Sequence, residues 1–283
     1  MAKGRLFVVA TPIGNLEDMT FRAIETLKRV SLIACEDTRE TRKLLTRFDI
    51  KTKYTSYHKF NELTKSRLIL NVLGRGEDVA IVSDAGTPGI SDPGTLLVAL
   101  VVERGFTVVP IPGASALTAS LSTCGFPLDS FTFHGFLPKK KTSREKFLKA
   151  LSPREETLVF FESPHRITES LSDMASILGP RKAVLCRELT KIHEEILRGN
   201  LCDVQEQLRN RKESISRGEF ALIVEGSKKS RTDRSHAPLY EHFRKLVDEE
   251  GLERKEAIKA LAKVRSLSKS KVYKEILMKE GKL

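Results

Sequence analysis

Three short stretches hold residues whose types and spacing could do chemistry. They are Thr11-Pro12-Ile13-Gly14-Asn15, the run SDAGTPGISDPG from Ser83 to Gly94, and Pro112-Gly113-Ala114-Ser115. Each follows a short apolar run, and in an open parallel sheet ligands gather where loops leave the carboxyl ends of strands. Glycine lets the backbone approach a ligand closely. Asp84 could accept hydrogen bonds from a ribose or an amine, and Ser115, near a helix start, could offer backbone N–H groups to a carboxylate. The chain contains no G-K-[ST] and no G-x-G-x-x-G, which disfavours a phosphorylated nucleotide. S-adenosylmethionine carries ribose, amine and carboxylate without phosphate. The plainer reading of the same residues is a set of Gly/Pro turns.

The elements that would position these loops alternate. Leu6–Ala10, Leu32–Cys35, Asp78–Ser83 and Thr107–Ile111 are short apolar strands. Between and after them, residues 20–29, 38–48, 62–73, 95–104 and 115–122 have helical spacing. Asp37 and Glu40 are placed as an N-cap and its reciprocal partner. Repeated βα units imply a largely parallel sheet covered on both faces. The Gly/Pro-rich stretch Cys124–Pro138 breaks the rhythm, and a second α/β unit follows. Its strands are expected at 131–134, 157–161, 183–187 and 220–225, with an extended segment at 194–197. Its helices are expected at 143–151, 165–178 and 203–210, and Ser163-Pro164 reads as a cap with proline at the first helical position. Residues 227–237 read as a linker. Three amphipathic helices, 239–249, 254–264 and 269–279, close the chain, with Leu246, Leu252, Ile258, Leu261, Val272, Ile276 and Leu277 as their core. The expected domains are therefore 1–122, 123–228 and 238–283.

The 283 residues are 40% hydrophobic and 30% charged, as in an ordinary globular protein, and no apolar run approaches a membrane span. LFVVA is too short for a signal-peptide core and reads as a first strand. Four scattered cysteines without C-x-x-C argue against a disulfide framework or a thiolate zinc site, and suggest a reducing cytoplasm. The net charge is +12, and residues 227–283 hold 16 Lys/Arg against 9 Asp/Glu. That basic excess favours a polyanionic partner, most often nucleic acid, although a solvated lysine surface would look the same.

TPIGNLEDMT, ACEDTRETRKLL, SDAGTPGISDPG, IPGASAL, FFESPHR, CRELTKIHEEILRG and GEFALIVEG occur in this order. Together they resemble the ribosomal RNA small-subunit methyltransferase I family, in the tetrapyrrole methylase superfamily of class III methyltransferases. The resemblance covers about residues 4–226, and the helical tail is also like that of bacterial members. It implies two α/β domains of tetrapyrrole methylase type with S-adenosylmethionine in the cleft between them, plus a small C-terminal helical domain. The superfamily's G-D-P signature corresponds to Ser83-Asp84-Ala85, with glycine and proline replaced, which disfavours a tetrapyrrole substrate. Its P-G-x-[ST]-[AS] signature corresponds to Pro112–Ala116, so Ser115 and Ala116 are implied at the cofactor. Pro12 and Thr87 match further cofactor positions. In the second domain Glu162 and Leu189 are implied to line the cofactor, with Ala221 or Leu222 at the adenine pocket.

The resemblance further implies methylation of the ribose 2′-oxygen of a cytidine in the decoding region of 16S rRNA, within the small ribosomal subunit, by a homodimer and with no metal. A 2′-hydroxyl is a poor nucleophile, so a general base would help. The candidates are Asp37, Glu36 and His193, beside Glu17, His165 and Glu188, and the sequence does not select one. Asp37 could equally cap its helix. Arg39, Arg42, Arg166, Arg187 and Lys191 could hold phosphates, and Lys139, Lys140 and Lys141 with Arg144 read as a basic, RNA-contacting loop. The tail helices resemble a helix-turn-helix that could track RNA. Two other readings compete: a tetrapyrrole C-methyltransferase, and a non-catalytic RNA-binding module.

Overall fold

Five parallel strands form the first sheet. They are β1 (Arg5–Val9), β2 (Leu32–Cys35), β3 (Tyr54–Ser56), β4 (Val79–Val82) and β5 (Thr107–Ile111), in the order β3-β2-β4-β1-β5. The computed structural model describes residues 3–211, 218–227, 238–248, 251–265 and 267–280. The expected linker, apart from Ser227, and Glu249 of the first tail helix lie outside them. Side chains alternate across the pleat. Phe7, Val9, Ala80 and Val82 pack on one face with α1 (Phe21–Arg29) and α2 (Thr38–Arg47). Leu6, Val79 and Ile81 pack on the other with α3 (Glu62–Gly74) and α4 (Thr95–Glu103). This two-sided burial explains why the strands read as continuous apolar runs. The chain leaves β1 for β2, two places away, and returns past β1 to β5. A crevice therefore opens at the carboxyl ends of β1 and β4, where the order reverses.

The second sheet is mixed. Its strands are β6 (Phe131–Phe136), β7 (Thr157–Glu162), β8 (Lys182–Arg187), β9 (Glu195–Asn200) and β10 (Phe220–Val224), in the order β6-β7-β10-β8-β9. β6 and β7 are parallel, whereas β10 runs antiparallel to β7 and β8, and β9 to β8. One face buries α6 (Lys141–Leu151), α7 (Ile167–Leu178) and α8 (Leu201–Arg209). The other face carries Val159, Val184, Cys186, Ala221 and Ile223, which pack against Leu121 and Cys124 of α5 (Ala116–Cys124). So α5, which follows the last strand of the first sheet, is buried against the second. The two sheets belong to one compact unit and the C-terminal helices to another.

Several local expectations change for physical reasons. The short, polar strand β3 was not expected. The bond from Glu40 back to Asp37 is not made, because Asp84 Oδ1 already accepts the Asp37 N–H at 2.9 Å; Glu40 pairs with Lys43 at 2.7 Å instead. α7 starts at Ile167, since the Ser163 carbonyl accepts from both Arg166 N–H (3.1 Å) and Ile167 N–H (3.0 Å), so Ser163-Pro164 belong to the preceding turn. Asn200 and Asp203 form a capping box that starts α8 at Leu201.

Arg144 is not part of a basic loop. It lies on the first turns of α6 with its side chain fully buried, Nε donating to Asp173 Oδ2 and Nη2 paired with Glu169, both at 2.7 Å. A guanidinium fork reaches two carboxylates in a way that an ammonium cannot. Arg144→Lys is therefore expected to lower the unfolding free energy by about 1.5 kcal/mol, roughly one charge-assisted hydrogen bond. Denaturant titration measures this, and RNA affinity should not change.

The C-terminal helices are α9 (Leu239–Asp248), α10 (Arg254–Val264) and α11 (Lys269–Lys279). Leu239, Phe243, Leu246, Ile258, Leu261, Val272 and Ile276 form their core, with Leu252 packed at its edge. Ser268 caps α11, and Arg254 pairs with Glu280 at 2.8 Å.

Candidate functional site

The loops after β1, β2, β4 and β5 converge on a cleft of about 370 Å³ whose opposite wall comes from the second sheet. The loop after β4 is tied to the loop after β1. Thr11 N–H donates to Gly86 O at 2.9 Å, Gly86 N–H donates back at 3.0 Å, and Thr11 Oγ1 donates to Ser83 O at 3.1 Å. The two halves also interlock beside the cleft. Asn15 N–H donates to Thr190 Oγ1 at 3.0 Å, and a Cβ on Gly14 would overlap Thr190 and Lys191, so only glycine permits this approach. Thr190 itself is left-handed (φ 68°), held there by its N–H bond to Glu194 Oε2 at 2.6 Å.

Among the residues expected at a cofactor, Asp84, Thr87, Ser115, Ala116, Glu162, Leu189 and Ala221 line this cleft. Ser115 is the N-cap of α5, so the first N–H groups of that helix lie at the wall. Glu162 is almost fully buried. It accepts from Ser163 N–H (2.8 Å) and Ser170 Oγ (2.7 Å), with Arg166 at 3.4 Å. Three expected residues do not line the cleft. Pro12 is buried outside the lining, whereas its neighbour Ile13 lines the cleft. Ser83 is buried and turns its hydroxyl onto Gly86 O at 3.2 Å, shaping the loop. Leu222 lies one residue from Ala221 on β10 and so points to the opposite face, into the core beneath α6–α8.

Of the expected bases, only Glu36 lines the cleft. Asp37 caps α2 through Arg39 N–H (2.8 Å) and pairs with the Arg39 guanidinium (2.6 Å), which holds its carboxyl down at about 2. His193 is exposed on the loop after β8 and is not in the wall. The Glu36 carboxyl is pushed up to about 7, by burial first and then by the charges of Asp92, Asp84 and Asp37. Asp92 is pushed up to about 6, again mainly by burial. Burial and the charges of Asp37 and Glu40 also raise Asp84, against the hydrogen bond from Asp37 N–H.

Asp92 stands three residues before α4, a position that suits either a helix cap or a site residue. Gly94, at φ 134°, caps α4, and Asp92 lines the cleft. The second copy of S-D-x-G was the available signal for it. Ile90, Phe136, Phe161 and Glu219 also line the cleft without having been anticipated.

The expected RNA contacts divide. Arg39, Arg42, Lys139, Lys140 and Lys141 are exposed. Arg166, Arg187 and Lys191 are committed internally. Arg166 Nη2 donates to Leu137 O at 2.7 Å, Arg187 pairs with Glu195 at 3.2 Å, and Lys191 pairs with Glu188 at 2.9 Å. The described residues include no group of three His, Cys, Asp or Glu placed to hold a metal ion, and no described helix is long and apolar enough to cross a membrane.

Residues 5–205 match the family model of the tetrapyrrole (corrin/porphyrin) methylases. The chain is 48% identical over 278 residues to a ribosomal RNA small subunit methyltransferase I of Halalkalibacterium halodurans, covering 96% of this chain and 94% of that one. It is 45% identical over 275 residues to the protein of the same name from Bacillus subtilis, covering 95% and 93%. Among solved structures it shares its fold with uroporphyrin-III C-methyltransferase of Thermus thermophilus complexed with S-adenosylhomocysteine. The TM-score there is 0.54 at 18% identity, covering 78% of this chain and 97% of that one.

Proposed function

Because the chain belongs to the tetrapyrrole methylase family, in its ribosomal RNA small subunit methyltransferase I branch, we propose that Glu36 is the general base of a methyl transfer to RNA in this cleft. The protein is an S-adenosylmethionine-dependent rRNA methyltransferase. The family model alone does not separate RNA from tetrapyrrole substrates, but the rRNA methyltransferase relative is 48% identical whereas the uroporphyrin-III C-methyltransferase is 18% identical, which speaks to fold alone.

The residues fit the cofactor. A cleft of about 370 Å³ is within the range of small-molecule sites. Asp84 would accept hydrogen bonds from ribose hydroxyls or the ammonium, and the α5 N-terminus at Ser115 would meet the carboxylate. Ile13, Phe161, Leu189 and Ala221 supply apolar wall for a flat base. When bound, the cofactor supplies an electrophilic methyl on a sulfonium. The protein's own part is to orient the acceptor oxygen and remove its proton. A base works best with its pKa near the working pH, and burial among carboxylates places Glu36 there. That Glu36, among the candidate bases, lines the cofactor cleft is the observation that carries the reading.

The acceptor is the ribose 2′-oxygen of a cytidine in 16S rRNA of the small subunit. Support comes from the basic excess and from the exposed Arg39, Arg42 and Lys139–Lys141. The active form is a homodimer in the cytoplasm. Incubation with methyl-labelled S-adenosylmethionine and undermethylated small subunits should place label in a 2′-O-methylcytidine after nuclease digestion. Label in a base, or only in a uroporphyrinogen-type substrate, would overturn the assignment.

The helical unit is itself an RNA-contacting element. Lys255, Lys259, Lys271 and Lys274 are exposed around its apolar core. Replacing all four with glutamine should flatten the dependence of log K on log salt by about 0.7–0.9 for each phosphate that is no longer neutralised. An unchanged slope in filter-binding titrations would remove this unit from the RNA site.

A further inference from the structure

Five carboxylate side chains line the cleft, Glu36, Asp84, Asp92, Glu162 and Glu219, and no described lysine or arginine does. Three of them are compensated. Glu162 has two hydrogen-bond donors, Asp84 has the Asp37 N–H, and Glu219 is open to water 3.8 Å from Lys191. Glu36 and Asp92 are half-buried and pair with no described cation. Glu36 is faced by Asp37 at the start of α2, by Asp84 after β4 and by Asp92 before α4. Asp92 is faced by the charges of Asp84 and, from the second half, of Glu219, which favour its protonated form, and by the Ser83 hydroxyl, whose hydrogen bond offsets them in part. Arg39, whose charge favours ionised Asp84, is itself held by Asp37 at 2.6 Å. Half-buried carboxyls that repel one another without a cation keep a proton around neutral pH and titrate as a coupled set.

We propose that Glu36 and Asp92 act as a coupled pair that the positive charge of the bound cofactor discharges, so that binding expels a proton and leaves Glu36 ionised to receive the ribose proton. The inference rests on the methyltransferase reading and assigns Asp92 as a positioning residue, acting through Glu36. Its charge balance closes. With the cleft free, the pair holds one proton and one negative charge. With the sulfonium present, the pair carries two negative charges against one positive. In the transfer the ribose O–H bond breaks and its proton goes to Glu36. The O–CH₃ bond forms, and the S–CH₃ bond breaks with its electron pair left on sulfur. The pair then again holds one proton, now beside a neutral thioether. Net charge is the same, minus one, in all three states, so the half-buried site never has to hold a second uncompensated charge. It also follows that the thioether product, lacking the positive charge, does not expel the proton.

Isothermal titration at pH 6.5 in phosphate and in imidazole, which differ in ionisation enthalpy, reads the proton count. S-adenosylmethionine should release about half to one proton per site, and its affinity should rise by up to about tenfold per pH unit between pH 6 and 7. S-adenosylhomocysteine should release few protons, with affinity nearly flat over that range. Asp92→Asn should fold normally by thermal scan, reduce proton release at pH 6.5 and move the acidic limb of the pH–rate profile to lower pH. Identical heats in the two buffers, or equal proton release by both ligands, would overturn the inference while leaving the methyltransferase reading in place. No binding at all would overturn both. If the variant does not fold, the two-ligand comparison on the native protein decides alone.

Discussion

Glu36→Gln is expected to lower the methyl-transfer rate by about 10²–10⁴-fold at saturating cofactor, the usual contribution of a general base. Single-turnover assays with labelled cofactor and undermethylated small subunits measure it. At subsaturating cofactor the native rate should rise with pH and reach half its plateau near pH 7, because the Glu36 carboxyl of the free cleft is pushed up to about 7 and must ionise to accept a proton, and saturating cofactor should move that limb to lower pH. The variant should lose that limb. Stability should move the other way. The folded-state pKa of Glu36 is raised, so between its ordinary carboxyl range and about 7 the folded chain binds more protons than the unfolded one, and stability falls as pH rises through that window. Glutamine cannot ionise. The variant should therefore melt above the native protein at pH 8 and level with it at pH 4. A variant that is slow yet more heat-stable at pH 8 is not a misfolded one. A native-like rate in Glu36→Gln would remove Glu36 as the base and turn attention to Asp92, the other half-buried carboxyl in the cleft wall.

That single carboxyl shows how far the sequence could be read. The strands were legible because a parallel strand buried on both faces must be apolar throughout, as Val79–Val82 is. The loops at their carboxyl ends were legible because Gly, Pro and Asp are needed where backbone turns sharply beside a ligand. β3 was not, since Tyr54-Thr55-Ser56 is held by pairing with β2 rather than by its own pattern. Leu222 was misplaced beside Ala221 because parity on a strand is set by its register against β7 and β8, which the sequence does not print. Arg144 was grouped with three lysines by proximity along the chain, yet one helical turn carries it from exposed surface to a buried pair with Asp173. The choice among candidate bases needed three dimensions. Glu36 and Asp37 are adjacent, but the first faces the cleft and the second caps α2. The helix seam had the same problem. Residue 122 is a sensible boundary by composition, and α5 crosses it because its apolar face is buried against the other sheet.

Asp84→Asn is expected to weaken S-adenosylmethionine binding by about 10–100-fold, the range of a lost charge-assisted hydrogen bond. The substitution isolates the ligand-facing role. Asp84 Oδ1 accepts the Asp37 N–H at 2.9 Å, and asparagine keeps an oxygen there, so the start of α2 should stay in place. What is lost is the negative charge at the end of β4. Asp84→Ala removes the acceptor as well and leaves the Asp37 N–H without its partner, so the alanine variant should lose heat stability that the asparagine variant keeps. Titration calorimetry on both variants separates the effects. If Asp84 serves the ligand, both bind weakly and only alanine melts early. If it serves only the loop, asparagine binds as the native protein does, and the cofactor's contact with this strand end must be sought at Thr87 or at the start of α5. Removing a negative charge also relieves Glu36, whose carboxyl Asp84 helps to raise. The residual activity of Asp84→Asn should therefore reach half its plateau at a lower pH than the native enzyme. A simple loss of loop shape would not produce that displacement, since it would leave the same charges around Glu36.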